Sequence, residues 1–242
     1  MRRAGRLVAE VLALVESELK PGVTTAHLDR VAEAHIRKGG GTPSFKGYPG
    51  INPRRPFPAS LCISIDDEIV HDIPGERTIR EGQVISVDAG AIVGGWHGDA
   101  ARTFFVGEPP PAVRDLIETT RVAMMAGIAA ALPGNHIDDI SAAVEDVAKS
   151  GGYGVIRQFV GHGIGTQMHE EPQVPNYRTG RRGRKLEPGL CLAIEPMFTL
   201  GSYEAHVLDD DWTVATVDGS LAAHFEHSIA LTDNGPEILT TV

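Results

Sequence analysis

Apolar and polar positions along this chain follow one scheme twice. Residues 20–40, KPGVTTAHLDRVAEAHIRKGG, align with 132–152, LPGNHIDDISAAVEDVAKSGG, at an offset of 112, each opening on Pro-Gly and closing on Gly-Gly. Between those marks Leu28, Val31, Ala32 and Ile36 match Ile140, Ala143, Val144 and Ala148, the spacing of one buried helix face. A second match follows downstream. EGQVISVD (81–88) resembles PGLCLAIE (188–195), each a glycine turn, a short β-rich run and a carboxylate six residues after the glycine. Helix-forming segments precede the copies, 4–19 before the first and 112–131 before the second. The pattern predicts a single α+β domain over 1–242. It is a pair of helix–helix–strand halves, about 1–107 and 108–242, joined near GEPPPAV (107–113). If a pseudo-twofold relates the halves, Asp88 and Glu195 hold equivalent places and meet near its axis.

The N-terminal MRRAGRLVAEVLALVESELK is basic and then apolar, but Glu10 interrupts the apolar run and no small-residue cleavage site follows. An amphipathic helix is the reading, not a signal peptide. No apolar stretch is long enough to span a membrane. With 42% hydrophobic residues the chain can bury a substantial core without covalent staples. Its two cysteines, Cys62 and Cys191, form no disulfide framework and no CxxC, which favours a reducing, cytoplasmic setting. A net charge of −10 argues against DNA as a partner. The one concentrated basic patch, Arg178, Arg181, Arg182, Arg184 and Lys185, reads most simply as a solvated loop.

The chemistry lies in carboxylates on apolar strands. VDAGAIVGGWHGDAARTFFVG (87–107) reads as a β-hairpin turning near Val93-Gly94-Gly95. A turn centred between residues 93 and 94 puts Asp88 directly across from Asp99, with Cβ atoms roughly 5 Å apart, where like charges destabilise a sheet. Two remedies are open: one carboxyl holds a proton, or a cation sits between them. Glu195 ends the apolar run LCLAIEP and Glu226 lies inside AAHFEHSIALT, and both would be costly to bury unpaired. Together with an imidazole, the four carboxylates form an oxygen-dominated site for two divalent metals, suited to Mn(II), Fe(II) or Co(II). The imidazole has a source in GHGIGTQMHEEP (161–172), whose glycines let the backbone come close to a partner.

HDIP (71–74), VDAG with GWHGD (87–99), GHGIGTQMHEEP (161–172), AIEPM (193–197) and FEHSIALTDNG (225–235) resemble, in order and over nearly the whole chain, the motifs of the methionine aminopeptidases. The likeness is to their short, bacterial type I form, which implies the pita-bread fold around a central antiparallel sheet. It implies Asp88, Asp99, His162, Glu195 and Glu226 as ligands of two divalent ions (Co, Mn, Fe or Zn). Asp99 and Glu226 would bridge both, Asp88 would hold one, and His162 and Glu195 the other. A metal-bridging hydroxide would then attack the first peptide carbonyl and remove the N-terminal Met of peptides and nascent chains when the second residue is small. By the same resemblance His169 donates to the carbonyl oxygen, Glu195 shuttles the proton and His71 contacts the scissile amide nitrogen. Tyr48, Cys62, Phe159, Met168 and Trp212 line the methionine pocket. His97 supports the site without ligating, and His227 faces the opposite side. His27, His35, His136, His206 and His224 have no converging partners and read as surface or packing residues. The ribosome is a partner that the basic patch would meet, and a compact domain gives no reason to exceed a monomer.

The chain departs from the family pattern at four places. GYPGINPRRPFPAS (47–60) is longer and richer in proline than the family's loop beside the pocket. Asp72 stands for a glycine, Asp66 for an asparagine and Ala222 for a serine that helps hold a monovalent cation. Two rivals remain. X-Pro aminopeptidases and prolidases have the same five ligands but a large N-terminal domain, and only about eighty residues precede the first metal strand here. Non-enzymatic pita-bread binding proteins lose ligands, and none is lost here.

Overall fold

The computed structural model describes residues 1–50 and 52–242; Ile51, within the proline-rich loop, lies outside them. Among the described residues there are four helices: α1 (Arg2–Glu18), α2 (Thr25–Lys38), α3 (Pro111–Ala130) and α4 (Ile137–Gly151). The two copies of the sequence repeat bury the same positions. Leu28, Ala32 and Ile36 of α2 are buried and Val31 is half-buried; Ile140, Val144 and Ala148 of α4 are buried and Ala143 is half-buried. Both repeats start their strand from a left-handed glycine, Gly82 at φ 86° and Gly189 at φ 94°, a conformation that a Cβ would penalise. α2 is capped by the Thr24 hydroxyl, which accepts the His27 amide at 3.2 Å, and α4 by the Asp139 carboxylate, which accepts the His136 amide at 2.7 Å.

Strands supply the surface these helices cover. In the first half Val84–Val93 pairs with Thr42–Pro43, Leu61–Ile65 and Trp96–Phe105. In the second, a five-stranded sheet runs Gly235–Ile238, His227–Thr232, Cys191–Ile194, Gly161–Gly163 and Glu170–Val174. The sheets meet at a seam in the middle of the molecule. Glu226 donates its amide to the Ala101 carbonyl at 3.0 Å, and Ala101 donates back at 3.3 Å. The Ser228 hydroxyl accepts the Asp99 amide at 3.0 Å and donates to the Asp99 carbonyl at 2.8 Å. Two three-stranded sheets, Glu68–Val70 with Val214–Thr216 and Ala205–Val207, and Gly154–Val155 with Met197–Thr199 and Ala222–His224, complete the frame.

Strand alternation decides what faces the helices. Leu61, Ile63, Ile65, Ile85, Val87, Ala89 and Ala91 pack with Leu7, Val8, Leu28 and Ile36 of α1 and α2. Leu192, Ile194, Ile229 and Leu231 pack with Met124, Ile128 and Ile140 of α3 and α4. Residues one step out of phase, Cys62, Asp88, Asp99, Glu195 and Glu226, are left to the opposite face. His162 is in register with Ala193 and so joins them.

Candidate active site

The hairpin turn is the two-residue Gly94–Gly95, with φ of 60° and 82°, and not a turn centred between 93 and 94. The register therefore shifts: Asp88 pairs with Ala101, and Asp99 pairs with Gly90. The expected direct opposition of the two carboxylates is corrected to a diagonal on the same face. Each still perturbs the other's charge. The offset puts a glycine and an alanine opposite the charges, which leaves room for them to lean together.

One ligand atom each from Asp99, His162 and Glu226 lies within 4.8 Å of the others. His162 Nε2 is 3.5 Å from Glu195 Oε1 and 3.8 Å from Asp99 Oδ2. Its Nδ1 is 2.8 Å from the Gly163 carbonyl, an acceptor that demands a proton on Nδ1 and leaves the Nε2 lone pair free. Burial, and then the neighbouring carboxylates, hold Asp99 and Glu226 well above the usual range. Glu195 is held there for the same reasons. Burial raises Asp88 to about 7 and lowers His162 to about 4. Four acids so placed repel one another, and Asp88 Oδ1, Asp99 Oδ1 and Glu226 Oε1 are buried with no hydrogen-bond partner. An isolated protein seldom leaves three such oxygens unpaired. A divalent cation satisfies all of them, and hard oxygens with one imidazole suit it. The donor set fits a metal.

Comparison with known proteins agrees with this chemistry. The model of metallopeptidase family M24 matches residues 1–233. A methionine aminopeptidase of Clostridium acetobutylicum is 52% identical over 241 residues, covering 99% of this chain and 94% of that one. The crystal structure of methionine aminopeptidase from Thermotoga maritima superposes with a TM-score of 0.95 at 40% identity, over 100% of this chain and 95% of that one. The chain belongs to the methionine aminopeptidases of family M24. A Bacillus anthracis Xaa-Pro dipeptidase, 22% identical with a TM-score of 0.76, shares the fold alone, and this chain spans 59% of its length.

Beside the acids lies a cavity of about 120 Å³. Its walls include the predicted Tyr48, Cys62, His71, Met168, His169 and Trp212, together with Phe45 and Phe57. Asp88, Asp99, His162, Glu195 and Glu226 line the same cavity, so only part of that volume is left for a side chain. Phe159, expected in the wall, stands one layer back. It packs with Ile69, Ile156 and Met197 and meets the His71 ring edge-on at 5.3 Å. His71 has a φ of 66°, a left-handed conformation rare outside glycine, and such outliers gather at functional sites. Burial lowers its pKa to about 4, so the ring is neutral near pH 7. His169 stacks edge-on to His162 at 4.4 Å, and the Tyr48 hydroxyl reaches its Nδ1 at 2.5 Å.

The remaining histidines separate as follows. His97 bonds the Ser44 hydroxyl through Nδ1 at 2.9 Å and, on the same strand face as Asp99, takes no place in the cavity wall. His227 turns to the helix side and bonds Thr240 at 2.7 Å. His224 corrects the sequence reading. It is buried, its Nε2 has no hydrogen-bond partner, and that atom is 3.9 Å from Glu195 Oε2. The signal was available, because alternation puts residue 224 on the same face as Glu226.

Asp72 introduces a charge near the wall. It bonds Arg77 at 2.7 Å and accepts from the Thr213 hydroxyl at 3.2 Å. Burial and then the Glu68 charge still raise its pKa from 3.8 to about 6. The folded state thus holds the Asp72 proton more tightly than the unfolded chain does. The stability this contributes is complete below about pH 4 and is lost as pH rises through 6. Asp72→Asn removes that slope. Denaturant titrations at pH 4.5 and 7 are expected to show the variant gaining on the parent by on the order of 1–3 kcal/mol over the interval. Parallel stability curves would contradict it.

Proposed function

We infer that the chain removes the N-terminal methionine of peptides and nascent chains when the second residue is small, with two divalent ions in the acidic cluster. The observation that carries this is three unpartnered buried carboxylate oxygens beside a narrow apolar cavity. Asp88, Asp99, His162, Glu195 and Glu226 would hold the ions. Cobalt, manganese, iron and zinc all suit this set. Bound there, such ions make water a nucleophile at neutral pH and polarise the scissile carbonyl.

The chain's own groups do the rest. The apolar cavity takes the methionine side chain and fixes the carbonyl carbon over the acids. Glu195, whose pKa burial and nearby acids raise, accepts a proton from the attacking water and delivers it to the departing amine. With Tyr48 donating to its Nδ1, His169 carries its proton on Nε2 and donates it to the developing oxyanion. Neutral His71 contacts the scissile nitrogen. A bulky second residue would shift the carbonyl, and a misplacement of about 1 Å can cost ~10²-fold. Turnover of Met-Ala-Ser against Ala-Pro-Ala, with added metal, tests the assignment. Release of methionine alone is expected, and cleavage of Ala-Pro-Ala alone would transfer the chain to the X-Pro peptidases.

A ribosome contact belongs to the same proposal. Arg178 is already paired with Asp146 at 2.6 Å and Glu145 at 3.0 Å, and Arg182 reaches His136 at 3.1 Å. The exposed Arg181, Arg184 and Lys185 are left to make it. Charge reversal of these three is expected to lower ribosome co-sedimentation without changing Met-Ala-Ser turnover. Unchanged co-sedimentation at low salt removes the contact. Among the described residues no helix is long and apolar enough to cross a membrane.

A further inference from the structure

Two hydroxyls clamp the seam between the half-sheets, each reaching from the half opposite the residue it holds. Ser228 clamps Asp99, and Thr103 clamps His224. The Thr103 hydroxyl accepts the His224 amide and donates to the His224 carbonyl, both at 2.8 Å. With that proton given to the carbonyl, the Ser86 hydroxyl, 2.9 Å away, supplies the one between the two side chains. Ser86, Thr103 and His224 are all buried. On its other side the strand Ala222–His224 pairs with Met197–Thr199, with His224 in register with Met197. Phe225 then donates its amide to the Pro196 carbonyl at 3.3 Å. The backbone at 224 is fixed from both sides, and its ring is carried to Glu195.

His224 is only 1% exposed, yet among the described residues its Nε2 has no hydrogen-bond partner. Packing alone needs no imidazole at this position, and a buried nitrogen without a partner destabilises a fold. The group it faces is Glu195. Oε1 of that carboxylate lies 3.5 Å from His162 Nε2, and Oε2 lies 3.9 Å from His224 Nε2. The carboxylate thus stands between two imidazoles, one oxygen facing each. The His224 gap is about 1 Å longer than a charge-assisted hydrogen bond, and catalytic hydrogen bonds commonly shorten once substrate is bound. We propose that His224 is a positioning residue whose Nε2–H donates to Glu195 Oε2 and keeps Oε1 turned toward His162 and the other acids. It rests on the aminopeptidase reading above, in which Glu195 both holds a metal ion and carries the proton. A carboxylate pinned through one oxygen presents the other in a single orientation, and removing the donor releases it.

The test compares His224→Leu, which fills the site without a donor, with His224→Gln, which keeps a side-chain N–H. Mn(II) binding is measured by calorimetry, kcat and KM for Met-Ala-Ser at saturating Mn(II), and thermal melting on metal-free protein. His224→Leu is expected to lose ~10–100-fold in Mn(II) affinity and in kcat, with KM little changed, the effect of removing a group that orients a ligand. Its metal-free form should melt no lower than the parent, because an unpartnered buried nitrogen is gone. His224→Gln should recover most of both losses. If the leucine variant fails to fold, His224→Met, a flexible side chain with no donor, takes its place. Donor and donor-free variants that lose alike overturn the proposal and reduce His224 to packing. So does a folded donor-free variant with the parent's Mn(II) affinity and kcat. A parent that releases no methionine, while Mn(II) affinity still falls with leucine and returns with glutamine, overturns the hydrolytic reading and leaves the positioning contact standing.

Discussion

Asp99→Asn is expected to abolish peptide cleavage and sharply weaken the binding of divalent metal. Asp99 sits at the seam of the two half-sheets, with its amide and carbonyl both bonded to the Ser228 hydroxyl. The backbone position therefore survives the change and only the carboxylate chemistry is lost. Losing a group that merely orients a ligand costs 10–100-fold in metal affinity, so if Asp99 is itself a ligand its loss is expected to exceed ~10²-fold. The charge effect supplies an independent readout. Asp99 lies among Glu226, Asp88 and Glu195, and their mutual repulsion destabilises the metal-free fold. The variant is expected to melt higher than the parent without metal and to gain less on adding Mn(II), because stabilisation by a ligand scales with its affinity. A variant that gains as much as the parent from Mn(II) would remove Asp99 from the ligand set.

His169→Ala is expected to keep its metal and lose turnover, and His162→Ala to lose the metal. The two rings touch, but their free nitrogens are committed differently. Nε2 of His162 faces Glu195 and Asp99 at 3.5 and 3.8 Å, whereas His169 is turned by Tyr48 toward the cavity. If His169 acts as an oxyanion donor, its removal costs about 2.7–4 kcal/mol, or ~10²–10³-fold in kcat. KM for Met-Ala-Ser should move little, since the contact strengthens mainly in the transition state. Metal analysis beside single-turnover kinetics separates the roles. Equal metal content in both variants would show that the division between the two histidines is wrong.

Much of the frame was legible because local rules and tertiary structure agree. The Pro-Gly and Gly-Gly marks, and the face formed by Leu28, Ala32 and Ile36 and again by Ile140, Val144 and Ala148, are set by helix geometry that needs no distant partner. The acids stood out because carboxylates on apolar strands contradict the core they occupy. What was missed depended on the third dimension. The register of Asp88 and Asp99 turned on whether Gly94 and Gly95 or the preceding valine made the turn, a one-residue choice that shifts every cross-strand partner. Phe57 looked like one more loop residue, since nothing in FPAS says that Trp212, far along the chain, will pull that loop inward. His224 has no local mark of its role because its neighbour Glu195 is distant in sequence, although its step of two from Glu226 is readable.

The account stands on a metal-dependent hydrolysis, and one measurement addresses that directly. Purified enzyme is stripped with excess EDTA long enough for metal to leave, assayed on Met-Ala-Ser, then assayed again after Mn(II) or Co(II) is restored. Loss of methionine release on stripping, and its return with metal, is the predicted result. Full activity in excess EDTA, with metal analysis showing none bound, would mean that the four acids work as proton-sharing carboxyls and would contradict the metal centre.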